Sequence, residues 1–205
     1  MKTKALWFAL TLAATAGGFA ADEDGFVPLF NSKDTTGWHL RRINGHNSWT
    51  VEPGGVLKNT VNKGEHGTDL VADQKFWNFT VRYEFMVPDG SNSGFYLRGR
   101  HEIQILGDYP SGKASLTGNG AIYNHTAPSE FASKPGNEWQ TAEATIIGSK
   151  ITVVLNGKKI HDQVVCDRAT GSEIDRSVNE PGPIFLQGDH GTVSFRNMRI
   201  KELAK

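Results

Sequence analysis

Residues 77–87 constrain this chain more than any other stretch. Phe79, Val81, Tyr83, Phe85 and Val87 alternate with Thr80, Arg82, Glu84 and Met86. A period of two held over that length describes a strand with one buried face. Shorter runs of the same kind predict strands at 93–97, 102–106, 121–123, 139–147, 151–155, 184–187 and 192–201. Two tight hairpins are specified locally. Gly148-Ser149 puts glycine first in a two-residue loop, and Asn156-Gly157 is the pair that best tolerates two left-handed residues in succession. Helical periodicity is missing after the N-terminus, and glycine is abundant, so the expectation is an all-β sandwich or barrel. Long polar loops are expected at 62–68, 108–119, 124–137 and 167–181; loops of such length in a compact domain are often functional.

The N-terminus is organised differently. Lys2 and Lys4 precede an apolar run from Ala5 to Ala14, then small residues ending in Gly18-Phe19-Ala20. That zoning predicts a secretory signal peptide over residues 1–20, cleaved after Ala20, leaving one domain over 21–205 in the periplasm or medium. The apolar run is too short and too rich in Ala, Thr and Gly for a span of about 20 residues, so the mature chain is not expected to cross a membrane. Loss of Lys2 and Lys4 leaves 20 basic against 22 acidic residues, without any Lys/Arg run, which argues against nucleic acid as a partner. Cys166 is the only cysteine. It cannot form an internal disulfide and is expected to be buried.

Chemistry concentrates between Asn92 and Tyr109. Phe95 and Leu97 face one way and Tyr96 and Arg98 the other; Ile103 and Ile105 take the core, turning Glu102 and Gln104 outward. Pairing of these runs as a hairpin would put Tyr96, Arg98, Glu102 and Gln104 on one face. Arg82 and Glu84 could extend the face from a neighbouring strand, as could Gln187, Asp189 and His190 from a later one. A solvated face with routine charges is the bland alternative. Yet an Arg, an acid, an amide and an aromatic suit sugar hydroxyls and ring faces. The histidines show no metal-ligand spacing. No cofactor is certain; a divalent cation such as Ca²⁺ held by Glu102, Asp108 or loop carbonyls is conceivable but not signalled. Trp38, Trp49, Trp77 and Trp139 are read as core.

These residues resemble a known family. Leu29-Phe30-Asn31-Ser32-Lys33-Asp34 with Gly37-Trp38 is similar to an LFNGKDLxGW opening. Asn92-Ser93-Gly94 through Arg98, then Glu102-Ile103-Gln104, is similar to an NSGxxxR…ExQ centre. Gly120-Ala121-Ile122-Tyr123, Asn156-Gly157 and Gly182-Pro183-Ile184-Phe185-Leu186-Gln187 complete the pattern of the 3-keto-disaccharide hydrolase domain. The resemblance implies a concanavalin A-like jelly roll of two antiparallel sheets and activity on glycosides oxidised at C3. It carries over Arg98, Glu102, Gln104, Tyr123 and Gln187, with His190 less firmly placed. Gly107 intervenes before Asp108 where family members often carry Asp directly, which unsettles any role for Asp108.

Ordinary glycosidases place two carboxylates about 5 to 9.5 Å apart across the scissile bond. The run Glu102–Gly107 supplies one. A C3 ketone relaxes the requirement, because it acidifies the C2 proton and lets a single base begin an elimination that expels the C1 substituent. On that reading Glu102 is the base with His190 as substitute, and Arg98 or a metal stabilises the enolate. Tyr96, Gln104, Tyr123, Gln187, Arg82, Glu84 and Asp108 would contact the sugar. The alternative is a non-catalytic, lectin-like sugar-binding module.

Overall fold

The computed structural model describes residues 24–62 and 64–204; the expected signal peptide lies outside them. Strands β1 (Val27–Pro28), β2 (Trp38–Leu40), β3 (Trp49–Glu52), β4 (Val56–Asn59) and β5 (Leu70–Phe76) fill the N-terminal third. Then follow β6 (Phe79–Met86), β7 (Asn92–Leu97), β8 (His101–Leu106), β9 (Gln140–Ile147), β10 (Lys150–Leu155), β11 (Lys158–Val165), β12 (Gly182–Leu186) and β13 (Val193–Glu202). They form two antiparallel sheets, one ordered β11-β10-β9-β6-β13-β4-β3 with β1 beside β13, the other β2-β5-β12-β7-β8. This is the expected jelly-roll sandwich.

The alternation in the sequence explains the layers. Phe79, Val81, Tyr83 and Phe85 on β6 meet Phe95, Leu97, Ile103 and Ile105 from β7 and β8, all essentially inaccessible to water. Tyr83 and Phe95 stack across the two sheets with ring centroids 4.0 Å apart. Both hairpins form as specified: Leu155 pairs with Lys158 around Asn156 and Gly157, each at positive φ, and Ile147 pairs with Lys150 around Gly148. Cys166 is buried. Trp38 and Trp49 are core residues. Trp77 and Trp139 are only partly covered, and each carries a guanidinium on its ring, from Arg98 and Arg196 respectively.

Residues 121–123 do not form the strand their apolar content suggested. They make two isolated bridges, Ile103 to Ile122 and Ile122 to Thr126, and run along the free edge of β8, the Gln104 N–H donating to the Ala121 carbonyl at 2.9 Å and the Tyr123 N–H to the Glu102 carbonyl at 3.0 Å. This edge pairing places Tyr123 beside Glu102. The outer face of β7 and β8 would otherwise meet water, yet it is buried from Ser93 to Ile105. A second loop, 167–181, closes over the same face. From this loop the Thr170 hydroxyl accepts the Glu102 N–H at 2.9 Å, and the Thr170 N–H donates to the Arg100 carbonyl at 3.0 Å. The Arg100 guanidinium reaches Asp175 at 2.7 Å and holds that carboxyl down at about 2.

Candidate active site

Register sets the layout of the covered face. On β7 and β8, Tyr96 lies opposite Glu102, Gly94 opposite Gln104 and Asn92 opposite Leu106. On the other flank β12 pairs Phe185 with Tyr96 and Leu186 with Phe95. Gln187, just past β12, donates its main-chain N–H to the Gly94 carbonyl at 2.9 Å. Gly94 is therefore ringed by Asn92, Tyr96, Glu102, Gln104 and Gln187 and contributes no side chain. A methyl group at Gly94 would collide with the Glu102 carboxylate, so the missing side chain is the space into which that carboxylate folds.

A cavity of about 90 Å³ opens over this point, lined by Asn92, Tyr96, Glu102, Gln104, Tyr123 and Gln187, with Gly171, Ser172 and His190 at its margins. Larger grooves exist elsewhere, such as one of about 440 Å³ along Val27–Leu29 and Ala72–Gln74. None of them gathers a buried acid, a histidine and unpaired amides.

Glu102 is the only carboxylate among the lining residues. Tyr96 donates its hydroxyl to Glu102 Oε2 at 2.8 Å. Burial drives the Glu102 carboxyl up to about 7, opposed by that hydrogen bond and by nearby His190 and assisted by the charges of Asp69 and Asp189. Burial, and then the charge of Glu102, raises the Tyr96 phenol, which stays protonated and donating. The Tyr96 ring is fixed by stacking on Phe185 at 4.0 Å, and Phe185 lies beneath the Arg41 guanidinium. Arg41 also donates to the carbonyls of Ser172 and Glu173 at 2.7 Å each, tying the 167–181 loop to the sheet. His190 presents Nδ1 to the Asp189 carboxylate. A carboxylate there fixes the Nδ1–H tautomer and leaves Nε2 free to accept or carry a proton.

The structure therefore brings together Tyr96, Glu102, Gln104, Tyr123, Gln187 and His190. It separates four others. Arg98 does not share the face of Tyr96, because alternation stops at Leu97: Arg98 (φ 55°) and Gly99 (φ 66°) form a left-handed turn. The guanidinium swings onto the Trp77 ring at 3.7 Å and donates Nε–H to the Trp77 carbonyl at 2.7 Å. It is fully buried there and cannot face an enolate in the cavity. Arg82 and Glu84 belong to β6 in the other sheet, because the 87–91 connection crosses between sheets. Arg82 pairs with Glu143 at 2.7 Å and Glu84 with Arg196 at 2.7 Å. Asp108 accepts from the Asn119 N–H at 2.8 Å and the Ser133 hydroxyl at 2.7 Å, pinning a loop. Gly107 before it is required by contact with the Pro88 carbonyl. Glu102 and Asp108 are thus not assembled as cation ligands, and among the described residues no cluster of three or more His, Cys, Asp or Glu has metal-binding geometry. Gln104 lines the cavity, but its amide donates to the Thr117 carbonyl at 3.2 Å and so also supports the covering loop.

Sequence reasoning missed Asn92, Gly94 and Asp69. Asp69 is buried beside the site, accepting from the Gly188 N–H at 3.0 Å and from Arg41 at 3.3 Å, and burial raises its carboxyl. Asn92 and Gly94 stood in the Asn92-Ser93-Gly94 motif, but only the strand register gives them neighbours.

Known proteins resemble this chain. A curated relative, the 3-keto-disaccharide hydrolase of Bacteroides thetaiotaomicron, is 25% identical, covering 89% of this chain and 80% of that protein. A candidate glycosyl hydrolase of Parabacteroides distasonis superposes with a TM-score of 0.69 at 28% identity, covering 87% of this chain and 84% of that one. Another from the same organism superposes with a TM-score of 0.71 at 24% identity, covering 91% and 100%, and shows the shared fold. The 3-keto-alpha-glucoside-1,2-lyase-like domain model matches residues 25–201, so the chain belongs to that family.

Proposed function

We propose that this chain cleaves glycosides oxidised at C3, by elimination across C1–C2 followed by hydration, and that it does so outside the cytoplasm as one domain after cleavage behind Ala20. The observation that carries the reading is Glu102, the one carboxylate lining the cavity, buried and held near 7. A two-carboxylate mechanism needs a second acid facing the same space. Asp69 and Asp189 are close enough to be felt, but the Gly188 N–H and His190, respectively, engage them. A base titrating near neutrality suits removal of a proton acidified by a neighbouring ketone.

The steps balance as follows. Glu102 takes the proton from C2, and the C2–H electron pair moves into a C2–C3 enolate. Collapse of the enolate restores the C3 carbonyl, forms the C1–C2 double bond and breaks the C1–O bond. The departing oxygen takes a proton from His190 Nε2, the imidazole being oriented by its Nδ1 contact with the Asp189 carboxylate. Water then adds its oxygen to C1 while C2 regains a proton, giving the free 3-keto sugar. Tyr96 holds the carboxylate in place, and Gln187 and Tyr123 contact the ring.

The reading is tested with matched p-nitrophenyl glucoside and 3-keto-glucoside. Release from the keto substrate alone is expected, with loss of turnover in Glu102→Gln. Equal release from both substrates, or binding of the keto sugar without any turnover, would overturn it. Export is tested by N-terminal sequencing of protein recovered outside the cytoplasm, which should begin at Ala21.

A further inference from the structure

We infer that the side-chain amides of Asn92 and Gln187 form a two-armed subsite that reads two of the free hydroxyls of the 3-keto sugar bound over Gly94. The inference rests on the proposed function for the identity of the sugar and adds the residues that select it.

Two buried oxygens point to a ligand. Asn92 Oδ1 and Gln187 Oε1 are both shielded from water, and neither has a hydrogen-bond partner among the described residues. Buried amide oxygens without partners are uncommon, since leaving one unpaired costs about 1–3 kcal/mol. Here both line one cavity. Gln187 is 94% buried by its 6% exposure.

Their backbones are fixed while their side chains are uncommitted. Gln187 is held by its N–H on the Gly94 carbonyl and by the Ser93 hydroxyl on its own carbonyl at 2.8 Å. Asn92 is paired in β7, with Gly191 packed against its main chain. By the two-residue period of a strand, Asn92 lies on the same face as Gly94 and Tyr96. The amides therefore flank the bare floor at Gly94 from two strands, with Glu102 on the third side.

The chemistry of the arms matches sugar hydroxyls. Each amide offers an acceptor oxygen and two N–H donors, and each hydroxyl both donates and accepts. Two hydroxyls, such as those at C4 and C6 of a 3-keto-glucoside, can satisfy both orphan oxygens without any charged partner. A site whose polar groups are left unpaired by a deoxy analogue rejects it strongly. These amides would thus hold the ring so that its C2 proton faces Glu102.

The inference separates stability from binding. Because the two amide oxygens have no partner among the described residues, Asn92→Ala and Gln187→Ala should leave the melting temperature unchanged or raise it, while kcat/KM on a 3-keto-glucoside falls roughly 10- to 100-fold. The 4-deoxy and 6-deoxy 3-keto-glucosides complete the test. The wild type should lose roughly the same factor on at least one of them, and the matching alanine variant should show no further loss on it. A melting temperature lowered by several degrees, turnover within twofold of wild type, or deoxy penalties that multiply with the substitutions would overturn the inference. If no 3-keto-glycoside is turned over at all, the proposed function fails by itself. The subsite is then read with methyl glucoside by saturation-transfer NMR: signal lost in the double variant supports it, and equal signal overturns it.

Discussion

Replacing Glu102 by glutamine should make the protein more stable at neutral pH while removing its activity. Glu102 is 3% exposed, and burial raises its carboxyl from 4.5 to about 7. Below 4.5 the carboxyl is neutral in both the folded and the unfolded chain. As pH rises from 4.5 to 7 the unfolded chain releases this proton first, so it binds fewer protons than the folded chain and stability falls. Above 7 both forms are ionised and the loss is complete. At about 1.4 kcal/mol per pH unit, the window amounts to on the order of 3 kcal/mol. For a chain of this length that corresponds to roughly 6–12 °C in melting temperature. Glutamine keeps the shape and the acceptor for Tyr96 but cannot ionise. Melting curves of both proteins from pH 4.5 to 8.5 should show the variant's advantage growing up to about pH 7 and then levelling. A pH-independent difference would refute the assignment of Glu102 as a buried, perturbed acid.

Other substitutions separate the parts. Gly94→Ala should push the Glu102 carboxylate out of its recess and lower kcat, with overpacking of about 1–3 kcal/mol read by chemical denaturation. Tyr96→Phe removes a hydrogen bond that lowers the Glu102 carboxyl, so the rising limb of kcat/KM, expected near pH 7, should move to higher pH. Arg41→Ala frees the Ser172 and Glu173 carbonyls; faster amide exchange over 167–181 and a KM raised more than kcat lowered are expected. Arg98→Met should cost about 1–3 kcal/mol of stability by removing the stacked, buried guanidinium, yet leave kcat within a few-fold, whereas a role at the enolate would abolish turnover.

Strand alternation made part of this site legible. Tyr96, Glu102 and Gln104 share a face because the period of two holds through both strands, and the Asn156-Gly157 and Gly148-Ser149 turns carry their own geometry. Arg98 was misplaced because Arg98-Gly99 is itself a left-handed turn, and a turn ends the alternation that put Arg98 beside Tyr96. Arg82 and Glu84 were misplaced for another reason: alternation tells which face of a strand is buried, not which sheet the strand joins. The pairing of β12 with β7 brings Gln187 next to Gly94 across more than 90 residues of chain, as the Ser93–Gln187 contact at a separation of 94 shows. No local pattern encodes that contact. The strands β1 to β5 were likewise missed, since runs as short as Val27–Pro28 or Trp38–Leu40 give too little periodicity to read.

The most direct test of elimination is the fate of the C2 hydrogen. Incubation of wild-type protein with a 3-keto-glucoside in D2O should place deuterium at C2 of the released 3-keto sugar, detected by NMR at early time, with neither exchange nor cleavage in Glu102→Gln. Cleavage that keeps the original hydrogen at C2 would contradict proton abstraction by Glu102 and return the site to direct hydrolysis.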